Sequence, residues 1–140
     1  MTSRRAFMTM SVAAAAAVTG TLLTGRTVSA DDELEFPYNV AFTQKHQGHW
    51  EGKAGTHVPK VEITDTEIIV TTPHPMSEKH YIVRHTIVDS KGTPIGEHTF
   101  APTDKTAVSK YPLPANSSGK KFYVTSFCNL HDLWIGKFKI

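Results

Sequence analysis

Lys120-Lys121-Phe122-Tyr123-Val124-Thr125-Ser126-Phe127 is the stretch whose reading sets the fold. Its β-branched and aromatic residues suit a pleated, half-buried surface, so the run reads as a strand. Six further runs rich in Val, Ile, Thr, Tyr and Phe accompany it: Val58–Ile63, Glu67–Thr72, His80–Asp89, Pro94–Phe100, Thr106–Tyr111 and Trp134–Lys139. Turn signals separate them at Thr64-Asp65-Thr66, Ser90-Lys91-Gly92 and Asn116-Ser117-Ser118-Gly119. No repeat, low-complexity tract or long amphipathic helix interrupts the series. Seven short strands at this spacing predict an all-β fold, a seven-stranded antiparallel immunoglobulin-like β-sandwich.

The chemistry sits between these strands. Cys128 is the only cysteine, so an internal disulfide is excluded, leaving an inert buried thiol, a nucleophile or a metal ligand. His131 follows it three positions later, and His74 and His80 stand six residues apart in Pro73-His74-Pro75-Met76-Ser77-Glu78-Lys79-His80. One thiolate with several imidazoles makes a mixed soft and borderline donor set suited to a transition metal. Pro73 and Pro75 hold His74 in an extended segment outside a sheet centre. His80 is expected to begin a strand, and Cys128 and His131 to lie in the turn between the last two. The ligands would then gather at one edge of a rigid sandwich.

His57-Val58-Pro59, His74-Pro75-Met76, His80-Tyr81-Ile82 and Cys128-Asn129-Leu130-His131, in this order, resemble the iron-binding segments of superoxide reductases of the desulfoferrodoxin/neelaredoxin family. The resemblance runs from about Gly48 to the C-terminus. It implies a mononuclear non-haem iron cycling between Fe2+ and Fe3+, held by His57, His74, His80 and His131 with Cys128 as the axial thiolate. It also implies one-electron reduction of superoxide to hydrogen peroxide, fed by an external electron donor such as a small redox protein or respiratory component. A homo-oligomer is compatible with this reading. Many family members carry Glu-Lys directly before the first histidine, where this chain has Gly55 and Thr56. Glu51 and Lys53, in the glycine-punctuated loop Trp50-Glu51-Gly52-Lys53-Ala54-Gly55, are the candidate catalytic replacements. Lys53 would attract the anionic substrate and assist proton delivery.

At the N-terminus, Ser3-Arg4-Arg5-Ala6-Phe7 precedes an apolar stretch from Met10 to Leu23 and a small-residue end at Val28-Ser29-Ala30. This pattern is that of a twin-arginine signal peptide, residues 1–30, with an exported or periplasmic domain at 31–140. The apolar run is shorter than the ~20 residues a bilayer span needs, so no membrane span is expected after cleavage. Arg4, Arg5 and Arg26 would leave with the signal, taking 15 basic residues to 12 against 13 acidic, a net charge of −1. Nothing in that balance points to nucleic acid.

The rival reading is a cupredoxin-like copper electron-transfer protein, also a small β-sandwich with a Cys-His loop. Such a site wants a methionine after the histidine, and no methionine follows Met76. It would also leave most of the histidines without a role. Of the others, His85 and His98 read as ordinary strand residues and His46 and His49 as solvent-exposed. Trp134 reads as core or as a lid over the site.

Overall fold

The computed structural model describes residues 39–140. The twin-arginine segment expected at residues 1–30 lies outside the described residues. Among the described residues eight strands form two sheets: β1 (Ala41–Phe42), β2 (Lys60–Ile63), β3 (Glu67–Thr72), β4 (Ile82–Asp89), β5 (Pro94–Thr99), β6 (Ala107–Pro112), β7 (Lys121–Cys128) and β8 (Asp132–Lys139). A five-stranded sheet runs β1-β8-β7-β4-β5 and a three-stranded sheet β2-β3-β6. Between β1 and β2 lie a 3-10 turn, Gly48–Trp50, and one short helix, α1 (Ala54–His57).

All seven expected runs are strands, and the sandwich is antiparallel with one exception. The two-residue β1 pairs parallel to β8, with Phe42 beside Trp134. Its strand character comes from burial, because Phe42 and Trp134 are both fully buried and their rings lie 5.4 Å apart. Withdrawing one such side chain from water contributes roughly 1.5–3 kcal/mol, enough to dock two residues of an otherwise polar segment. Two local expectations change. The glycine-punctuated loop contains the turn of helix α1, and β4 begins at Ile82 rather than His80. His80 is instead held in a tight turn, its backbone N–H donating to Ser77 Oγ and Ser77 N–H donating to His80 O.

Alternation along each strand builds the core. On β7, Phe122, Val124, Ser126 and Cys128 point inward while Lys121, Tyr123 and Phe127 are exposed. On β3 the inward set is Ile68, Val70 and Thr72, and on β6 it is Ala107, Ser109 and Tyr111. On β4 a break in register between Ile82 and Arg84 restores the phase, so that Ile82, His85 and Ile87 all face inward. The interior is therefore layered. Ile68, Val70, Ile87, Tyr111, Phe122 and Val124 form one apolar cluster, and Ile82, Phe100, Ala107 and Cys128 form another. Between them in strand order come Thr72, His85, Ser109 and Ser126, all buried and polar. His98, by contrast, is exposed on β5, as are His46 and His49 in the loops.

Candidate metal centre

The second apolar cluster ends at Cys128, and beyond it the protein turns from apolar to nitrogen-rich. The donor atoms of His57, His74, His80, Cys128 and His131 all lie within 4.8 Å of one another. They arrive from four places: the end of α1, the Pro73–Pro75 segment, the Ser77–His80 turn, and the β7–β8 turn.

Local bonding holds each place. Val58 N–H closes α1 on Ala54 O at 2.9 Å, and His74 N–H donates to Thr72 O at 2.8 Å, folding the chain tightly around Pro73. Asn129 splices the Cys-Asn-x-His turn to the His80 segment. Its Oδ1 accepts Tyr81 N–H at 3.0 Å and its Nδ2 donates to Lys79 O at 3.0 Å. On the other side Trp134 Nε1 donates to His131 O at 2.8 Å from a fully buried ring. Trp134 is thus core and also anchors the turn.

Four ring nitrogens converge. His57 Nε2 and His131 Nδ1 are 3.0 Å apart, His131 Nδ1 and His80 Nε2 3.1 Å, and His80 Nε2 and His74 Nε2 3.0 Å. Neighbouring rings stand nearly perpendicular, at 69–85°. A square of such an edge has its centre about 2.1–2.2 Å from each corner, close to the length of a metal–imidazole bond. Cys128 Sγ lies 3.8 Å from His74 Nε2 and 3.6 Å from His131 Nδ1, on the buried side of this ring.

Backbone carbonyls fix which nitrogen faces inward. His57 Nδ1 meets Lys53 O at 2.9 Å and His74 Nδ1 meets Pro75 O at 2.5 Å. A carbonyl only accepts, so both Nδ1 atoms carry the proton and both Nε2 atoms present lone pairs to the centre. Burial, and the other histidines after it, lower His57 to about 4; burial also lowers His74 and His131 below the ordinary imidazole value. These rings are neutral at pH 7. Burial pushes the Cys128 thiol up, partly offset by N–H bonds from Leu130 and His131 to the sulfur. His57 and His74 thus aim lone pairs at the point where His80 Nε2 and His131 Nδ1 also converge, and with the Cys128 sulfur beside them the donor set fits a metal ion. Four imidazoles and one thiolate are the donor set that the family resemblance implies for iron, and a copper site of two histidines, cysteine and axial methionine is not what is built here. The sulfur of Met76 is engaged elsewhere, accepting Ile82 N–H at 3.4 Å.

Lys53 and Glu51 part company. Lys53 precedes α1, and its positive charge helps depress His131 and His74 and favours the Cys128 thiolate. Glu51 is exposed and contributes to none of the shifts at the cluster.

Other contributors were not singled out from the sequence. The Trp50 ring packs edge-on against His131 with centroids 4.7 Å apart, and its Nε1 donates to Asp132 Oδ2 at 2.9 Å. Asp132 adopts φ 63, uncommon for a residue with a side chain. His49 lies 3.9 Å from the same carboxylate. Asn129 lies inside a motif already read, so its splice was within reach of the sequence; the Trp50–Asp132 bond spans 82 positions and left no local signal.

A protein-family model described as Desulfoferrodoxin matches residues 43–137. No curated protein matches the chain in sequence. Among solved structures, superoxide reductase (neelaredoxin) from Ignicoccus hospitalis is similar at 23% identity and TM-score 0.62, covering 76% of this chain and 98% of that one. The superoxide reductase (1Fe-SOR) from Giardia intestinalis matches at 21% identity and TM-score 0.54, covering 61% and 98%. The superoxide reductase from Treponema pallidum matches at 27% identity and TM-score 0.50, covering 61% and 67%.

Proposed function

This chain belongs to the desulfoferrodoxin family, and we propose that it reduces superoxide to hydrogen peroxide at an iron centre held by His57, His74, His80, His131 and Cys128. The observation that carries the reading is the ring of four imidazole nitrogens at 3.0–3.1 Å spacing with the Cys128 sulfur buried beneath it.

Iron bound there would supply the single electron, passing between its ferrous and ferric states. The chain's residues do the rest. His57 and His74 are held by carbonyls as neutral donors, so these two imidazoles add no charge. The Cys128 thiolate contributes one negative charge from the buried side and leaves the opposite side for a small anion. Half-buried His80 and His131 border that side. Lys53 adds a cation whose charge reaches the cluster, attracting superoxide, and its ammonium is a proton donor for the reduced anion. The overall reaction takes one superoxide, one electron and two protons to one hydrogen peroxide. The electron is restored by an external donor. Glu51 has less support, since it is exposed and does not act on the cluster.

We further propose export of the folded domain, supported by Arg4-Arg5 and the apolar stretch that follows. N-terminal sequencing of protein recovered from its native host would begin at Asp31.

The test is a pulse of superoxide delivered to the ferrous-loaded chain. One hydrogen peroxide formed and one iron oxidised per superoxide, without oxygen release, is the expected result. Oxygen formed at half the superoxide consumed would instead indicate a dismutase.

A further inference from the structure

We propose that the buried polar layer of Thr72, His85, Ser109 and Ser126 is a positioning device for the metal centre, through which Thr72 and Ser126 set the placement of His74 against Cys128. The inference rests on the metal reading above and concerns residues outside the donor set.

All four side chains are essentially closed to solvent, at 0–4% exposure. Thr72 Oγ1 and Ser126 Oγ are 2.8 Å apart, across the gap between the two sheets. Thr72 Oγ1 also meets His85 Nε2 at 2.7 Å, and His85 Nδ1 meets Ser109 Oγ at 2.7 Å. In either tautomer both ring nitrogens and all three hydroxyl oxygens have a partner. If Nδ1 carries the proton it donates to Ser109 Oγ, Thr72 donates to Nε2, and Ser126 donates to Thr72. If Nε2 carries it, it donates to Thr72 Oγ1, Thr72 donates to Ser126, and Ser109 donates to Nδ1.

The location argues for more than packing. On β4, β6 and β7 the polar residue lies between two inward apolar ones, and on β3 Thr72 follows Val70 at the strand end, so all four strands contribute to the layer. The layer lies one inward step before the site. Ser126 and Cys128 are successive inward residues of β7, while Thr72 ends β3 and Pro73 leads directly into His74. The Thr72–Ser126 bond thus ties the base of the His74 segment to the strand that carries the thiol. Its product is the 3.8 Å approach of Cys128 Sγ to His74 Nε2. Apolar side chains of the same shape often fill a core with little loss of stability, but they tolerate small slides between sheets. Directional hydrogen bonds in a dry interior do not. A site whose donors come from both sheets needs that rigidity.

Ser109 supplies the matched comparison. It is equally buried and bonds the same histidine, yet its strand, β6, carries no ligand. The experiment titrates cobalt(II) into the metal-free full chain. It follows the thiolate-to-cobalt charge-transfer band, the dissociation constant and the heat-unfolding midpoint of the metal-free protein. Wild type is expected to bind one cobalt with a thiolate band. Thr72→Val should raise the dissociation constant at least about tenfold and shift the band, and Thr72→Ser should restore both. Ser109→Ala should lower the unfolding midpoint comparably while keeping affinity and band as in wild type. Ser126→Ala leaves Thr72 its bond to His85, so it folds even where Thr72→Val does not, and it should move affinity and band in the same direction as Thr72→Val. Equal losses of affinity in Ser109→Ala and Ser126→Ala, or unchanged cobalt binding in Thr72→Val and Ser126→Ala, would overturn the positioning role alone. A wild-type chain that binds cobalt without a thiolate band would overturn the metal centre, and this inference with it.

Discussion

His57 Nε2 and His131 Nδ1 stand 3.0 Å apart across 74 positions of sequence. The proton of His57 is committed to Lys53 O on the far side of the ring. What faces His131 is therefore a lone pair, which can accept a hydrogen bond from His131 Nδ1–H or, with His131 Nδ1 unprotonated, join it in binding a cation.

Metal removal is the first consequence. Chelation should lower the unfolding temperature, and adding iron back under reducing conditions should restore it. A metal held at a thousand times its dissociation constant stabilises by about 4 kcal/mol, which for a domain of this size is a shift of at least about 15 °C. Calorimetry with and without chelator checks this. Identical melting curves would mean that the converging imidazoles are satisfied without a cation.

Cys128→Ser should abolish the visible thiolate-to-ferric band of the oxidised protein and lower superoxide reduction by at least about 100-fold. His98, exposed on β5, is the control, and His98→Ala should leave both within about twofold. Absorption spectra and stopped-flow rates decide it. A Cys128→Ser protein that kept its band would show that the thiolate is not a ligand.

Lys53→Ala should slow the second-order reaction with superoxide and flatten its dependence on ionic strength, leaving iron content and spectrum unchanged. Steering by one cation is screened over about 8 to 10 Å at moderate salt, whereas ligand loss is not. Lys45→Ala, in an exposed loop residue, controls for general charge. Equal slowing in both variants, or none in Lys53→Ala, would remove Lys53 from the mechanism.

His85 predicts a pH dependence. Burial first, and the facing His98 second, lower it from 6.5 to about 4; its other neighbours are the uncharged Thr72, Ser109 and Phe100. The folded protein binds this proton less readily than the unfolded chain. The contribution to stability is thus present above pH 6.5 and lost as pH falls through 4, amounting to roughly 3 kcal/mol over that window. Denaturant unfolding of metal-free wild type and His85→Gln at several pH values isolates it, since the remaining histidines are common to both. Parallel stability curves for the two proteins would show that His85 does not titrate with folding.

The sheets were largely legible because a strand is a local object. Runs such as Lys120–Phe127 carry β-branched and aromatic residues whatever packs on them, and all seven expected runs are strands. β1 was not legible, since two residues have no periodicity and pair with β8 only because Phe42 finds Trp134. The five residues that the structure gathers were legible for a different reason. Thiol and imidazole are chemically distinctive, and short motifs bring them in a fixed order.

What the amino-acid sequence determined by itself was the seven longer strands, the kind of donor atoms and their suitability for a transition metal. The tertiary structure alone decided the rest: that His85 is a dry hydrogen-bonded node and His98 a surface residue, although both occupy strands and pair directly across β4 and β5. The register break at Ile82–Arg84 turns His85 inward, and no local pattern announces it. Likewise the Trp50 ring packed on His131, the Trp134 hydrogen bond to its backbone oxygen and the bonds that seat Asn129 join segments through space. Composition and period act over a few residues, whereas the direction of a lone pair is set by whichever backbone oxygen the completed fold brings against the other side of the ring.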